Sequence, residues 1–234
     1  YSLRHYSGKT AAERDLLLAF NHKMEQNLSA PNSETIANML YGLHQMNSHR
    51  VEVQTILSTI ANQIARSRQT LSGQELSSAF YGLQGMDSSH EAVRELLSVL
   101  SPKVEYSPTK FNSQMISNIL YGLQEMKSNN NEMYFLLRVL KYKIDQSNEC
   151  LTPLAVSMSL YGLKSMTSER LEVRRLLVSL SRLIQLDRVE SSDENAEEMI
   201  WNDEPLTGLG VANSLYGLKG MSTNHWEVRR LVAA

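Results

Sequence analysis

A short string, Tyr-Gly-Leu, recurs along this chain and constrains its fold more than any other feature. It begins at Tyr41, Tyr81, Tyr121, Tyr161 and Tyr216, and the first three intervals are each 40 residues long. Self-similarity at a fixed spacing of this size is the signature of tandem structural repeats. Tyr1 stands 40 residues before Tyr41, so the chain begins within a repeat, on a tyrosine instead of a methionine. We therefore expect residues 1–234 to be a single repeat array and a piece of a longer protein.

The last interval is longer than the others because an acidic segment interrupts the array. Tyr161 and Tyr216 are 55 residues apart, and the extra residues correspond to Glu190 to Glu204. This segment contains seven acidic residues, no lysine or arginine, and one tryptophan, Trp201. We expect it to protrude from the array as a loop or short helix, without forming a repeat of its own.

Each repeat is predicted to contain two helices. The first helix follows a residue that can cap it, and its apolar residues recur at helical spacing, as in Ile36, Leu40 and Leu43. The predicted first caps are Asn32, Ser72, Asn112, Thr152 and Thr207. The second helix follows a polar turn, and the candidate caps there are Ser48, Ser88, Ser128, Ser168 and Thr223. No segment alternates apolar and polar residues as a strand does, so the predicted fold is all-α, a solenoid of tandem helical hairpins with a 40-residue period.

The glycine after each tyrosine needs a physical reason, because a glycine inside a helix costs about 1 kcal/mol relative to alanine. The simplest reason is close approach, in which the missing side chain allows one first helix to contact the next. Tyr41 and its equivalents are then expected to pack between repeats with the hydroxyl at the surface. On this hypothesis Gly122→Leu destabilises the protein by roughly 1 to 3 kcal/mol through overpacking.

The segment from Phe111 to Leu123 resembles the first helix of octatricopeptide repeats, which carry a Gln, an Asn and an aromatic-Ala-Leu motif. Here Gly replaces the Ala and Tyr is the aromatic residue, while Gln is kept at Gln74 and Gln114 and Asn at Asn38, Asn118 and Asn213. The resemblance covers all of the chain except the acidic segment. It implies helical hairpins that bind single-stranded RNA in a mitochondrion or chloroplast.

The face of the first helix opposite its apolar stripe carries a line of amides and hydroxyls. Such groups both donate and accept hydrogen bonds, and they can read the base edges of a single strand at one base per repeat. The candidates for base readout are Asn38, Gln74, Ser78, Gln114, Asn118 and Asn213. The alternative is a solvated helix face that binds no ligand.

The charge of the chain supports a nucleic-acid ligand only after the acidic segment is set aside. The whole chain has 23 basic and 25 acidic residues, for a net charge of -2. Without the seven acids of that segment, 23 basic residues face 18 acidic ones, which leaves +5. The candidates for phosphate contact are Arg94, Arg174, Arg175, Arg229 and Arg230 on the second helices. Alternatively, Glu172 with Arg175, and Glu227 with Arg230, pair along one helix.

The sequence offers no pattern for catalysis, metal binding or a cofactor. The six histidines fall at unrelated positions of the repeat, and no glycine-rich phosphate loop follows a strand. A single cysteine, Cys150, excludes an internal disulfide and a thiol cluster. No apolar run is long enough to span a membrane. We therefore expect a soluble intracellular protein that is not an enzyme.

Two functions are compatible with these patterns. The first is an organellar protein that binds single-stranded RNA or ribosomal RNA, in RNA processing, stability or translation or as a component of an organellar ribosome. The second is a scaffold that binds protein subunits of a larger assembly without contacting RNA, because solenoids use the same surfaces for both. In the scaffold interpretation Trp201 is the candidate for partner docking.

Overall fold

The computed structural model describes residues 10–27, 29–189 and 205–234, with only the backbone described for residues 185–189. These ranges contain eleven α-helices and no β-strand, which confirms the predicted all-α solenoid. The helices are α1 (Ala11–Gln26), α2 (Ser33–Tyr41), α3 (Val51–Arg66), α4 (Gly73–Tyr81), α5 (Glu91–Glu105), α6 (Ser113–Tyr121), α7 (Asn131–Asp145), α8 (Pro153–Tyr161), α9 (Leu171–Val189), α10 (Gly208–Gly217) and α11 (Trp226–Ala233). Tyr1 and the acidic segment, with the docking candidate Trp201, lie outside the described residues. None of the described helices combines the length and apolarity that crossing a membrane requires.

The helices form two layers. In the first-helix layer, α2, α4, α6, α8 and α10 pack side by side in that order. In the second-helix layer, α1, α3, α5, α7, α9 and α11 do the same. Each helix thus contacts its equivalents in the neighbouring repeats, as in a solenoid.

The predicted caps of the first helices are confirmed. The side-chain oxygen of Asn112, for example, accepts a hydrogen bond from the backbone N–H of Met115 at 2.9 Å. The caps at Asn32, Ser72, Thr152 and Thr207 accept the equivalent bond. Each cap satisfies one of the N–H groups that the first turn of a helix leaves unpaired.

The core runs continuously between the two layers. Leu123 and Met126 of one repeat are fully buried, together with Leu137 from its second helix. Burial of each such side chain contributes on the order of 2 kcal/mol. Equivalent leucines, isoleucines, valines and methionines extend this core from α1 to α11.

The first helices are shorter than predicted. In four repeats the helix ends at the tyrosine, and the glycine is its C-terminal cap; Gly122, for example, has φ -62° and ψ -19°. After the helix the chain forms a tighter turn, in which the backbone N–H of Leu123 donates to the carbonyl of Leu120, three residues before it, at 2.9 Å. The glycine therefore does not interrupt a helix interior, and its backbone angles are open to any residue.

The predicted caps of the second helices are wrong. The residues that precede α3, α5, α7 and α11 are Arg50, His90, Asn130 and His225, and only Asn130 supplies a side-chain cap. Instead, each buried serine of this turn forms hydrogen bonds with the backbone of the next repeat. Ser88 Oγ accepts from the backbone N–H of Lys127 at 2.9 Å and donates to its carbonyl at 3.1 Å. Ser48, Ser128 and Ser168 accept equivalent bonds from Asp87, Thr167 and Ser222.

Candidate functional site

The candidate site begins with an unusually close contact between neighbouring first helices. A Cβ atom added to Gly122 would lie 1.9 Å from the carbonyl oxygen of Phe80 in the preceding repeat. The same atom at Gly82, Gly162 and Gly217 would lie 2.0 Å from the equivalent oxygens. Only glycine allows this separation, so the prediction of close approach is confirmed.

This contact brings the repeated tyrosines into a single column, which we call the tyrosine stack: Tyr41, Tyr81, Tyr121, Tyr161 and Tyr216. Successive ring centroids are 6.2, 5.7, 5.8 and 5.8 Å apart, and the ring planes are inclined by 21 to 27°. These spacings lie within the range of favourable aromatic contacts. Burial, together with the neighbouring Tyr121 and Tyr41, raises the pKa of Tyr81 above its usual value. The tyrosine stack is therefore a continuous aromatic strip along the first-helix layer.

Four of the predicted readout residues lie in one row beside the tyrosine stack, three positions before each tyrosine. They are Asn38, Ser78, Asn118 and Asn213, and all are half-buried. The Asn118 amide approaches Ser77 Oγ at 3.5 Å. Among the described residues, the other three side chains make no hydrogen bond, so their donors and acceptors are unused. Met158 occupies the equivalent place in the remaining repeat.

The other two readout candidates, Gln74 and Gln114, lie farther from the stack. They are exposed in the first turns of α4 and α6, seven positions before their tyrosines. The structure thus brings all six candidates to the first-helix layer, in two separate rows.

A second polar row, three positions after each tyrosine, was missed by the sequence reasoning. Gln124 Nε2 donates to Gln84 Oε1 at 3.5 Å, and Lys164 Nζ donates to Gln124 Oε1 at 3.1 Å. His44 and Lys219 occupy the ends of the row. The available signal was the spacing itself, because residues three apart lie on the same side of a helical turn.

The two lysines of this second polar row differ in how their charge is satisfied. Lys164 Nζ lies 2.8 Å from the carboxylate of Glu125 and 4.7 Å from the ring centre of Tyr161. Burial alone would lower the pKa of Lys164, but Glu125 and Tyr161 outweigh it and raise the pKa. Lys219 is exposed and lies 4.3 Å above the Tyr216 ring. Lys219 is therefore the more accessible of the two cations.

Three of the phosphate candidates form hydrogen bonds with the backbone of the turn that precedes their own helix. The guanidinium of Arg174 donates to the carbonyls of Ser168 at 2.8 Å and Glu169 at 3.3 Å, and it pairs with Glu227 of the next repeat at 3.4 Å. Arg94 and Arg229 make the same two backbone bonds in their repeats. These arginines thus have a structural role that requires no phosphate.

The remaining phosphate candidates, Arg175 and Arg230, are exposed. Within the described ranges neither makes an ion pair, so the same-helix pairs with Glu172 and Glu227 are not formed. Their charges are accessible to a ligand.

No other chemistry accompanies these rows. In the described part of the chain, no three His, Cys, Asp or Glu side chains converge to hold a metal ion. Cys150 is half-buried before α8. The candidate site therefore consists of aromatic, amide, hydroxyl and cationic groups.

Comparison of the chain with protein-family models, with curated proteins and with solved structures gives no match. The resemblance to octatricopeptide repeats accordingly stays a prediction. The functional argument depends on the side chains that line the first-helix layer.

Proposed function

We propose that this chain is a helical-repeat protein that binds single-stranded RNA along the first-helix layer. The supporting observation is the row of Asn38, Ser78, Asn118 and Asn213, in register beside the tyrosine stack. Each of these side chains offers a hydrogen-bond donor and acceptor. Readers of single strands present such groups at one base per helical repeat.

The partial burial of these groups favours a ligand over simple hydration. A solvated face would expose its amides freely, whereas Asn38, Ser78 and Asn213 are half-buried and make no side-chain hydrogen bond among the described residues. Polar groups that are partly removed from water gain free energy when a partner satisfies them. A base edge lying across the tyrosine stack is such a partner.

Charge and resemblance add to this proposal. The repeats without the acidic segment carry +5, and Lys219, beside the tyrosine stack, is an exposed cation that suits a phosphate backbone. The resemblance to octatricopeptide repeats adds an organelle, a mitochondrion or chloroplast, and a role in RNA processing, stability or translation. Ribosomal RNA is included among the proposed ligands.

Fluorescence anisotropy with a randomised pool of short RNAs at two salt concentrations tests the proposal. Asn118→Ala is expected to change the preferred base at one position of the bound RNA, with little effect on salt dependence. The matched control is Asn62→Ala, which removes an exposed amide from α3 in the second-helix layer and should change nothing. No binding tighter than millimolar at low salt would refute the RNA proposal for this chain.

A substitution among the cations tests the phosphate contact separately. Lys219→Ala, beside the tyrosine stack, is expected to weaken binding of all sequences alike and to reduce the slope of log affinity against log salt by up to about one. Lys219 is preferable to Arg174, because loss of Arg174 would also break its bonds to the backbone and to Glu227. The control is Arg68→Ala, an exposed cation in the linker before α4.

A further inference from the structure

The outer side of the second-helix layer changes character at α7. At three outward positions α7 carries Phe135, Arg138 and Tyr142. The equivalent residues are Thr55, Ser58 and Asn62 in α3, and Glu95, Ser98 and Pro102 in α5. The two preceding helices of this layer, α3 and α5, thus carry small or polar groups where α7 carries aromatic and cationic ones.

These side chains line a pocket of about 500 Å³ between α7 and α9, within the size range of small-ligand sites. Tyr134, Phe135, Arg138, Tyr142, Glu172 and Arg175 form its walls. The Arg138 guanidinium lies 5.1 Å from the ring centre of Phe135. Tyr142 is 58% exposed, so its ring is open to a ligand.

The Glu172 carboxylate in this pocket lacks the arginine partner that two of its equivalents have. Arg14 pairs with Glu52 of the next repeat at 3.6 Å, and Arg174 pairs with Glu227 at 3.4 Å. Tyr134 occupies the place of those arginines in its own repeat. Among the described residues Glu172 therefore forms no ion pair, although it stands beside two cations in the pocket wall.

The two pocket arginines also retain their charge for a ligand. Arg138 and Arg175 are exposed and form no ion pair within the described ranges. Lys141, which also lines the pocket, is paired with Asp145 at 2.5 Å. The pocket thus combines aromatic faces, one unpaired carboxylate and two unpaired guanidinium groups.

We propose that this pocket binds one nucleotide. Its base stacks on Tyr142, because aromatic faces hold bases of any sequence. Its ribose hydroxyls donate to the Glu172 carboxylate. Its phosphate accepts hydrogen bonds from Arg138 and Arg175, whose planar forks match phosphate oxygens. The nucleotide is either free or part of a strand, and the pocket lies on the layer opposite the proposed readout row.

Calorimetric titration of the chain with AMP tests this inference. Tyr142→Ala and Arg138→Ala are each expected to weaken AMP binding about tenfold, through loss of stacking and of a charged hydrogen bond respectively. The matched controls are Tyr106→Ala and Arg68→Ala, which remove an exposed tyrosine and an exposed arginine outside the pocket. Thermal unfolding of every variant verifies that it is folded.

Three further titrations assign the parts of the ligand and its source. Binding of adenosine should be weakened by Tyr142→Ala. It should be unaffected by Arg138→Ala, because adenosine lacks the phosphate. Glu172→Ala should remove the preference for AMP over its deoxyribose analogue. A short RNA whose binding is weakened by Tyr142→Ala identifies a nucleotide within a strand, whereas weakening of AMP alone identifies a free nucleotide.

Two outcomes would overturn the inference. The first is no binding of AMP at millimolar concentration. The second is equal binding by the parent chain and by folded Tyr142→Ala and Arg138→Ala variants. The RNA proposal is tested separately by the base preference of Asn118→Ala, on the first-helix layer. Either proposal can therefore fail without the other.

Discussion

The two layers of this solenoid join their repeats by different kinds of contact. In the first-helix layer the contacts involve backbone and rings, because Gly122 touches the carbonyl of Phe80 and Tyr121 stacks between two other tyrosines. In the second-helix layer side chains meet, as Ser58 meets Glu95 at 2.8 Å and Arg174 meets Glu227. The contacts of backbone and rings tolerate almost no substitution, whereas the side-chain contacts of the second-helix layer tolerate many. The first-helix layer therefore sets the spacing of the repeats, while the second is free to acquire a pocket at α7.

The largest expected effect tests the backbone contact directly. Gly122→Ala should lower the free energy of unfolding by about 3 kcal/mol or more, because a methyl group there overlaps backbone that cannot move aside. The control is Gly208→Ala, where a Cβ meets nothing within 4 Å. It should raise stability by up to about 1 kcal/mol through helix propensity. Urea unfolding measures both, and a Gly122→Ala midpoint equal to that of the parent would contradict the contact.

The next effect concerns the tyrosine stack. Tyr121→Ala should lower the free energy of unfolding by about 2 to 3 kcal/mol, because two ring contacts and their buried area are lost. Tyr121→Phe keeps the ring and should remain within about 0.5 kcal/mol of the parent. Equal losses in the two variants would show that the hydroxyl, and not the stack, stabilises the layer. Tyr106→Ala is the exposed control.

A smaller effect is expected at the turn between the layers. Ser88→Ala should lower the free energy of unfolding by about 1 to 2 kcal/mol, because the N–H and carbonyl of Lys127 lose the buried Ser88 hydroxyl as their partner. Ser98→Ala is the matched control, since its exposed hydroxyl donates to the Glu95 carbonyl of its own helix. Urea unfolding should separate the two variants. If Ser98→Ala proved the more harmful, the importance of bonds between repeats would be refuted.

The smallest effect depends on pH. Burial alone would raise the pKa of Glu75, but hydrogen bonds from Ser33 and Ser72 outweigh it and hold the pKa below the usual 4.5. A lowered pKa in the folded state stabilises the protein above the unfolded value, and this stabilisation is lost as pH falls through the folded value.

Glu75→Gln should therefore be less stable than the parent at neutral pH by less than about 1 kcal/mol, and the difference should shrink in acid. Thermal unfolding between neutral pH and pH values below 4.5 measures this trend. Glu91→Gln, which removes an exposed carboxylate from α5, controls for net charge. A difference that grows in acid would contradict the assigned bonds.

Much of the fold was predictable because the signals for its helices lie within a single repeat. The spacing of Ile36, Leu40 and Leu43 predicts a helix, and Asn112 predicts its beginning, since both signals are local. The function of the buried serines was not predictable, because the partner of Ser88 lies 39 residues away in the next repeat. A local rule assigned it to a helix cap instead.

The candidate site was predictable only in part, for the same physical reason. The row of Asn38 and Asn118 follows from a helical wheel of one repeat. The tyrosine stack and the bond between Gln84 and Gln124 depend on the distance between helices, which the glycine contact determines. The unpaired state of Glu172 depends on Tyr134 in the preceding repeat, and only an aligned set of repeats with their contacts reveals it.

Two of the contacts between neighbouring repeats do not depend on which side chains the next repeat carries. Gly122 meets a carbonyl oxygen and Ser88 bonds to an N–H and a carbonyl, and almost every amino acid supplies these groups. One repeat unit can therefore follow any other without new matching of side chains at these two contacts. Duplication or deletion of a whole unit would preserve the joint, so the length of the array can change by recombination in steps of one unit.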